Sequence, residues 1–183
     1  MKATAVKVLK RVLAAVVALF VVVLAWRAYD ALRAPHLARW HTFVPHEASA
    51  EQIAKLDWAG YLDIEKKLFD EVRSEVTDQL EPEDRVESNR YYSGSPIYPG
   101  RFAQDWNRSY VLAPQSAPVG AVVLLHGLTD SPYSLRHVAR RYVQDGYAAV
   151  AIRLPGHGTV PAGLSKVEWE QWMAARSEER RVG

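Results

Sequence analysis

The sequence predicts an α/β fold set behind an apolar N-terminal helix, and three observations predict it. Val12–Trp26 carries no charge. Gly120–Leu125 (GAVVLL) and Tyr147–Ile152 (YAAVAI) are short apolar runs, and each leads into a glycine-containing loop. A helical pattern follows each loop, so the order is strand, loop, helix, strand, loop, helix. That order is the signature of a right-handed parallel α/β unit, with its loops gathered at the C-terminal ends of the strands.

Bulk properties narrow the function classes. The 183 residues suffice for an anchor and about one domain. A composition of 49% hydrophobic residues supports a core. The net charge of +2 excludes nucleic acid as the expected partner. The absence of cysteine removes disulfides, thiolate metal sites and a cysteine nucleophile.

The first element is a membrane segment. Lys2, Lys7, Lys10 and Arg11 precede the uncharged run. Val12–Trp26 spans roughly 22 Å, short of a bilayer core, whereas a span begun at Val6 reaches roughly 31 Å. Residues 6–26 are therefore expected to meet the lipid bilayer, with the basic side chains snorkelling toward the headgroups. Trp26 and Tyr29 fall where an interfacial aromatic belt belongs. The competing reading is a signal peptide cleaved after Val23-Leu24-Ala25.

Residues 29–88 read as a juxtamembrane connector with amphipathic helices. Ser49 and Gln52 form a capping-box pattern. Ile64, Leu68, Val72, Val76 and Leu80 recur every four residues with Leu62 and Phe69 beside them, which predicts an amphipathic helix over 62–80 that packs on its own domain, with a coiled-coil dimer as the alternative that a strict spacing of four disfavours. A run of Tyr, Gly, Ser and Pro over 89–100 predicts turns. Ser109–Ala113 is a short strand candidate. GAVVLL is expected as a central parallel strand buried on both faces. Leu135, Val138, Ala139 and Tyr142 follow helical spacing and end at Asp145-Gly146, a glycine stop. Ser165 with Glu168 is expected to cap a last helix through Trp169, Trp172 and Met173.

The stretch LLHGLTDSPYSLRHVARRYVQDGYAAVAIRLPGHGT carries the chemistry. It resembles the α/β-hydrolase superfamily, and within it the branch of esterases, monoglyceride lipases and serine aminopeptidase-like enzymes. Two motifs carry the likeness: a His-Gly turn after an apolar strand, and a Pro-Gly-His-Gly loop one helix later. Phe102 and Asp105–Ser109 resemble a subgroup of bacterial membrane-anchored hydrolases. The resemblance implies an α/β-hydrolase fold of which this chain holds the N-terminal part, a mostly parallel sheet with flanking helices. With the readings above, the expected organisation is 1–28 as cytoplasmic flank and transmembrane anchor, 29–88 as juxtamembrane connector and amphipathic helices, and 89–175 as the start of the hydrolase domain.

The resemblance also implies the site. Acyl transfer places negative charge on the former carbonyl oxygen, and two backbone N–H groups stabilise it. One donor is expected from Leu128, in a turn shaped by His126 and Gly127, where the lack of a β-carbon allows a tight turn. Leu128, Thr129 and His157 are candidate substrate-pocket residues. His126 is expected as a hydrogen-bonded turn histidine, because the family's base lies downstream of its nucleophile. Asp130 is expected to tighten the turn, and Asp105 to pair with Arg108. No cofactor and no metal are expected.

No Gly-x-Ser-x-Gly occurs. The nearest string, Gly163–Val167, lacks the final glycine and opens a helix. The nucleophile, acid and base are therefore expected beyond the end of this sequence. The last eight residues, RSEERRVG, match the in-frame translation of a widely used sequencing adapter, which makes 176–183 an expected non-native tail. A sheet cut after its second parallel strand leaves one edge and one face unpaired. The expected function is a membrane-anchored serine hydrolase of ester or acyl substrates, inactive as given. The alternatives are an enzyme of the same fold with an aspartate nucleophile, such as a dehalogenase or epoxide hydrolase, or a non-catalytic membrane-tethered binding protein. The expected location is the bacterial inner membrane, with the N-terminus cytoplasmic and the hydrolase domain periplasmic or extracellular, or a secreted form after cleavage.

Overall fold

The computed structural model describes residues Lys2–Arg33 and Leu37–Ser177. It divides into two units, Met1–Leu37 and Ala38–Gly183. The first unit is helix α1 (Lys2–Leu32). Within it Val6–Leu32 is apolar and long enough to cross a membrane, and none of it is buried against protein. An anchor and a signal sequence share that length and composition.

The second unit begins with short helices α2 (Arg39–Thr42) and α3 (Ala50–Ile53). The capping box at α3 is complete: Gln52 N donates to Ser49 Oγ at 3.2 Å, and Ser49 N donates to Gln52 Oε1 at 2.8 Å. Helix α4 (Trp58–Val72) starts four residues before the expected Leu62. Asp57 explains the shift, since its carboxylate accepts the Gly60 N–H at 2.8 Å and supplies the cap. The helix widens into a π turn over Arg73–Thr77. Its buried face holds Tyr61, Glu65, Leu68, Val72 and Val76. Leu62, expected on that face, is exposed, because a buried glutamate takes part of the stripe.

Among the described residues three strands form the sheet: β1 (Tyr110–Leu112), β2 (Gly120–Leu125) and β3 (Tyr147–Ile152), in the order β1-β3-β2. β2 and β3 run parallel, from Gly120 opposite Tyr147 to Leu125 opposite Ile152. β1 runs antiparallel to β3, with Tyr110 opposite Ala151. The sheet is thus mixed rather than mostly parallel. β2 is also not the central strand that its composition suggests. It lies at an edge, and Ala121, Val123 and Leu125 are exposed while their neighbours are half-buried. β3 occupies the centre, buried from Ala149 to Ile152. An apolar run marks a strand fit for two covered faces, but it does not say whether both covers are present.

Helix α5 (Pro132–Gln144) makes the crossover from β2 to β3. It ends at Gly146, whose φ of 90° lies in the left-handed region that a β-carbon disfavours. The two faces of β3 feed two cores, as strand alternation requires. Val150 and Ile152 pack with Ile53, Tyr61 and Ala175, and Ala149 and Ala151 pack with Tyr110 and Ala139. Ile53 and Tyr61, with Ala48, Trp58 and Ile64 packed around them, are therefore part of the same core as β3. Helix α6 (Trp169–Ser177) closes the described chain. Ser165 does not cap it. Ser165 lies in a 3₁₀ turn over Pro161–Lys166, where its hydroxyl donates to Ala162 O at 2.7 Å. The cap comes from Gln171, whose Oε1 accepts the Glu168 N–H at 2.8 Å. In the expected tail, Glu178–Gly183 lie outside the described residues.

Candidate active site

The turn after β2 is built around one peptide plane. Gly127 O accepts from Asp130 N at 3.1 Å and lies 3.0 Å from His126 Nδ1. His126 Nε2 accepts the Leu154 N–H at 3.1 Å, which leaves the ring proton on Nδ1 to donate to Gly127 O. The carbonyl of the Gly127–Leu128 peptide is thus held from two sides, and the N–H of Leu128 points the opposite way. Among the described residues no acceptor takes that N–H. The Leu128 side chain is 63% exposed, and Thr129 is exposed beside it.

The next peptide is held as well. His157 Nε2 lies 2.7 Å from Leu128 O, and His157 Nδ1 lies 3.0 Å from Pro155 O. The His126 and His157 rings sit 4.8 Å apart, and Trp172 packs against His157 at 5.7 Å. His157 is buried. Its ring is engaged by two backbone carbonyls and so shapes the turn, whereas Leu128 and Thr129 are exposed. Burial, the largest influence, lowers the His126 pKa below the usual imidazole value, and the neighbouring His157 and Arg153 act in the same direction.

Asp130 tightens the start of α5. Its Oδ1 accepts the Ser131 N–H at 2.7 Å. A hydrogen bond from Ser134, first, and that from Ser131 hold its carboxyl below the usual range. The expected role of Gly127 is not seen. A β-carbon there meets no atom within 4 Å, and its φ is not positive. The turn is open to one side, so the backbone does not require glycine at this position. Gly158, in the second motif, is the constrained one: its φ is 74°, and a β-carbon would approach Asn107 O to 2.7 Å.

Beneath the turn lies a charged cluster that motif reading missed. Arg153, directly after β3, is buried. Its Nη1 and Nη2 donate to Glu47 Oε1 and Oε2 at 2.8 and 3.0 Å. Its Nη1 also donates to His157 O at 3.1 Å. Glu47 Oε1 accepts the Gly156 N–H at 2.6 Å, and Tyr61 Oη donates to Arg153 O at 2.6 Å. Glu65, 3.8 Å from Arg153 Nε, accepts from Ser109 N at 2.7 Å and Ser109 Oγ at 2.6 Å. Burial raises the Glu65 pKa, against the opposing pull of Arg153 and Ser109. For Arg153 desolvation acts to lower the pKa, but the carboxylates of Glu47 and Glu65 outweigh it and keep the guanidinium charged. The cluster fixes the Pro155–His157 loop that in turn holds Leu128. A glutamate inside an amphipathic stripe, at Glu65, was the sequence signal for it.

Asp105 pairs with Arg108 at 3.5 Å, as its spacing suggests. Ser131 donates to Asn107 Oδ1 at 3.0 Å. No serine hydroxyl bonds a histidine ring, and no acid/histidine cluster of metal-binding form occurs, among the described residues.

A scan against protein-family models finds no match. A thermostable monoacylglycerol lipase from Bacillus sp. (strain H-257) is 38% identical over 64 residues, covering 35% of this chain and 25% of that enzyme. A solved structure from the metagenome-derived lipolytic enzymes LipS and LipT is 30% identical, covering 42% of this chain and 32% of that one, with a TM-score of 0.36. Over these 64 residues, and no further, the chain is similar to a lipolytic enzyme. It spans about a quarter of the length of the curated relative that it matches.

Proposed function

We propose that this chain carries the oxyanion side of a membrane-anchored serine hydrolase acting on carboxylic esters or other acyl compounds. The observation that carries the proposal is the unengaged N–H of Leu128, on a peptide whose carbonyl is clamped by His126 and by Asp130 N. A fixed donor facing open space suits an oxygen that gains charge during reaction, because the donor needs no reorganisation. The nucleophile belongs on a further strand. The free edge of β2 is where such a strand fits. Added parallel to β2, it brings its C-terminal turn beside residues 126–130, since parallel strands end on the same side. The monoacylglycerol lipase relative favours ester and acyl substrates over the dehalogenase and epoxide-hydrolase chemistries of the same fold. The apolar helix α1 supports anchoring to a bilayer, and the basic residues ahead of its uncharged run, Lys2, Lys7, Lys10 and Arg11, favour a cytoplasmic N-terminus with the second unit on the other side.

The test is the genomic DNA downstream of the Ala175 codon. The expected continuation completes a helix, then encodes a strand and a Gly-x-Ser-x-Gly turn whose serine reacts with a fluorophosphonate probe. The 183-residue chain itself should not react. A genomic stop after Gly183, or probe labelling of Ser165 that disappears in Ser165→Ala, would overturn the proposal.

A further inference from the structure

A cavity of about 660 Å³ opens between the segment 90–107 and the first turns of α5. Phe102, Trp106 and Tyr133 give it apolar walls. Phe102 and Tyr133 are each about half exposed (57% and 47%), so the patch is open to a ligand. Three guanidiniums, Arg90, Arg136 and Arg140, stand on the same lining. Among the described residues the arginine ion pairs belong to Arg27, Arg39, Arg108, Arg141 and Arg153, and none to these three. They rest on aromatic faces instead: Arg136 lies 3.7 Å over the Tyr133 ring and Arg140 5.0 Å over the Trp106 ring. Arg136 Nη1 also donates to Tyr133 O at 2.6 Å. The acid of the lining, Asp105, is already committed to Arg108 at 3.5 Å and to Asn107 Nδ2 at 2.8 Å. Its charge is matched there, and the three arginines stay uncompensated.

Arg136 and Arg140 are one helical turn apart on α5. Like charges at that spacing destabilise a helix, and an anion placed between them reverses the sign. Guanidinium forks match the oxygens of a carboxylate or phosphate, and the aromatic walls match an alkyl chain. The volume falls within the range of small-molecule sites, roughly 300–1,000 Å³. The lining contains no residue of the 126–130 turn, so this is a separate site from the one proposed above. We infer that the cavity binds a single-chain anionic amphiphile, with its headgroup between Arg136 and Arg140 and within the field of Arg90, and its chain over Phe102 and Trp106.

The test uses the full chain in phosphatidylcholine nanodiscs, with empty nanodiscs subtracted. The probes are decyl phosphate carrying a diazirine, its parent alcohol decanol in the same labelled form, and inorganic phosphate as competitor. Decyl phosphate should crosslink saturably to peptides within 97–106 and 133–140. Arg136→Gln and Arg140→Gln should each weaken it about tenfold, the worth of one charge-assisted hydrogen bond. Arg90→Gln, on an exposed side chain, gives a variant that leaves the helix untouched and should weaken binding in the same direction. Phe102→Ser should weaken decyl phosphate without affecting any competition by phosphate. Equal labelling by the decanol probe would show a merely apolar groove and overturn the inference. Full competition by inorganic phosphate at matched concentration would show a small-anion site and overturn it as well. So would affinity unchanged in all three arginine variants.

Discussion

His157 Nε2 lies 2.7 Å from the carbonyl oxygen of Leu128, so the loop after β3 holds the turn after β2 in place. This link predicts a measurable loosening in His157→Ala. The Asp130 amide, bonded to Gly127 O, should exchange roughly fivefold faster, the effect of losing about one hydrogen bond. The amide of Val150, central in β3, serves as the internal control. Unchanged exchange at Asp130 would mean that the turn holds itself.

Leu128 should act through its backbone. In a longer gene product that carries the nucleophile, Leu128→Ala should keep most of kcat and alter acyl preference, because the side chain is exposed. Replacing the Leu128 amide by an ester removes the N–H, weakens Gly127 O as an acceptor and keeps the backbone path; it should lower kcat by about 10²–10³. Wild-type turnover in the ester variant would reduce the His-Gly motif to a structural corner.

The lowered pKa of His126 sets a pH dependence. Protonation would put an N–H against the Leu154 N–H that Nε2 now accepts. Between the depressed folded value and the ordinary value of about 6.5, the unfolded chain binds more protons, so stability falls as pH falls through that window. Asparagine can keep the donor to Gly127 O without titrating. The urea midpoint of the wild type should therefore drop relative to His126→Asn between about pH 7.5 and about pH 5.5. Parallel curves for the two proteins would contradict the assignment.

Arg153→Met should be among the most damaging single changes, because it strands Glu47 and Glu65 in the interior. Removing one partner of a buried ion pair costs about 3–5 kcal/mol. Adding Glu47→Gln and Glu65→Gln to the same protein should recover part of the loss, since no charge then remains unpaired. Equilibrium denaturation measures both. A loss below about 1 kcal/mol in Arg153→Met would show that water reaches the carboxylates.

Residues 1–33 fused to a reporter should fractionate with membranes and resist carbonate extraction, given the apolar length of α1. A processed product beginning at Trp26 would favour a cleaved signal sequence.

The sequence announced the local features well, because each depends on neighbours in the chain. The Ser49–Gln52 cap, the Gly146 stop and the Asp105–Arg108 pair all lie within a few residues of one another. Strand position depends on partners elsewhere. GAVVLL has the composition of a central strand yet lies at an edge, since its alternation reveals suitability for burial and not the presence of a cover. Glu65 stands inside an amphipathic stripe, and a carboxylate there is recognisable as buried only with its distant partners, Ser109 and Arg153, in view. Gly127 drew attention through its motif, whereas the steric demand falls on Gly158, which faces Asn107 far earlier in the chain.

The Glu47–Arg153 bridge joins residues 106 positions apart, and that separation dictates an order of events during synthesis. At about 5–20 residues per second, Glu47 leaves the ribosome roughly 5–20 s before Arg153 exists to meet it. During that interval the 38–88 helices have an acid in their apolar stripe and no strand to cover it. Docking must wait for β3, so folding is governed by a late, non-local encounter and not by the early helices. Chains stalled between Glu47 and Arg153 should be clients of whatever chaperone first meets the emerging polypeptide.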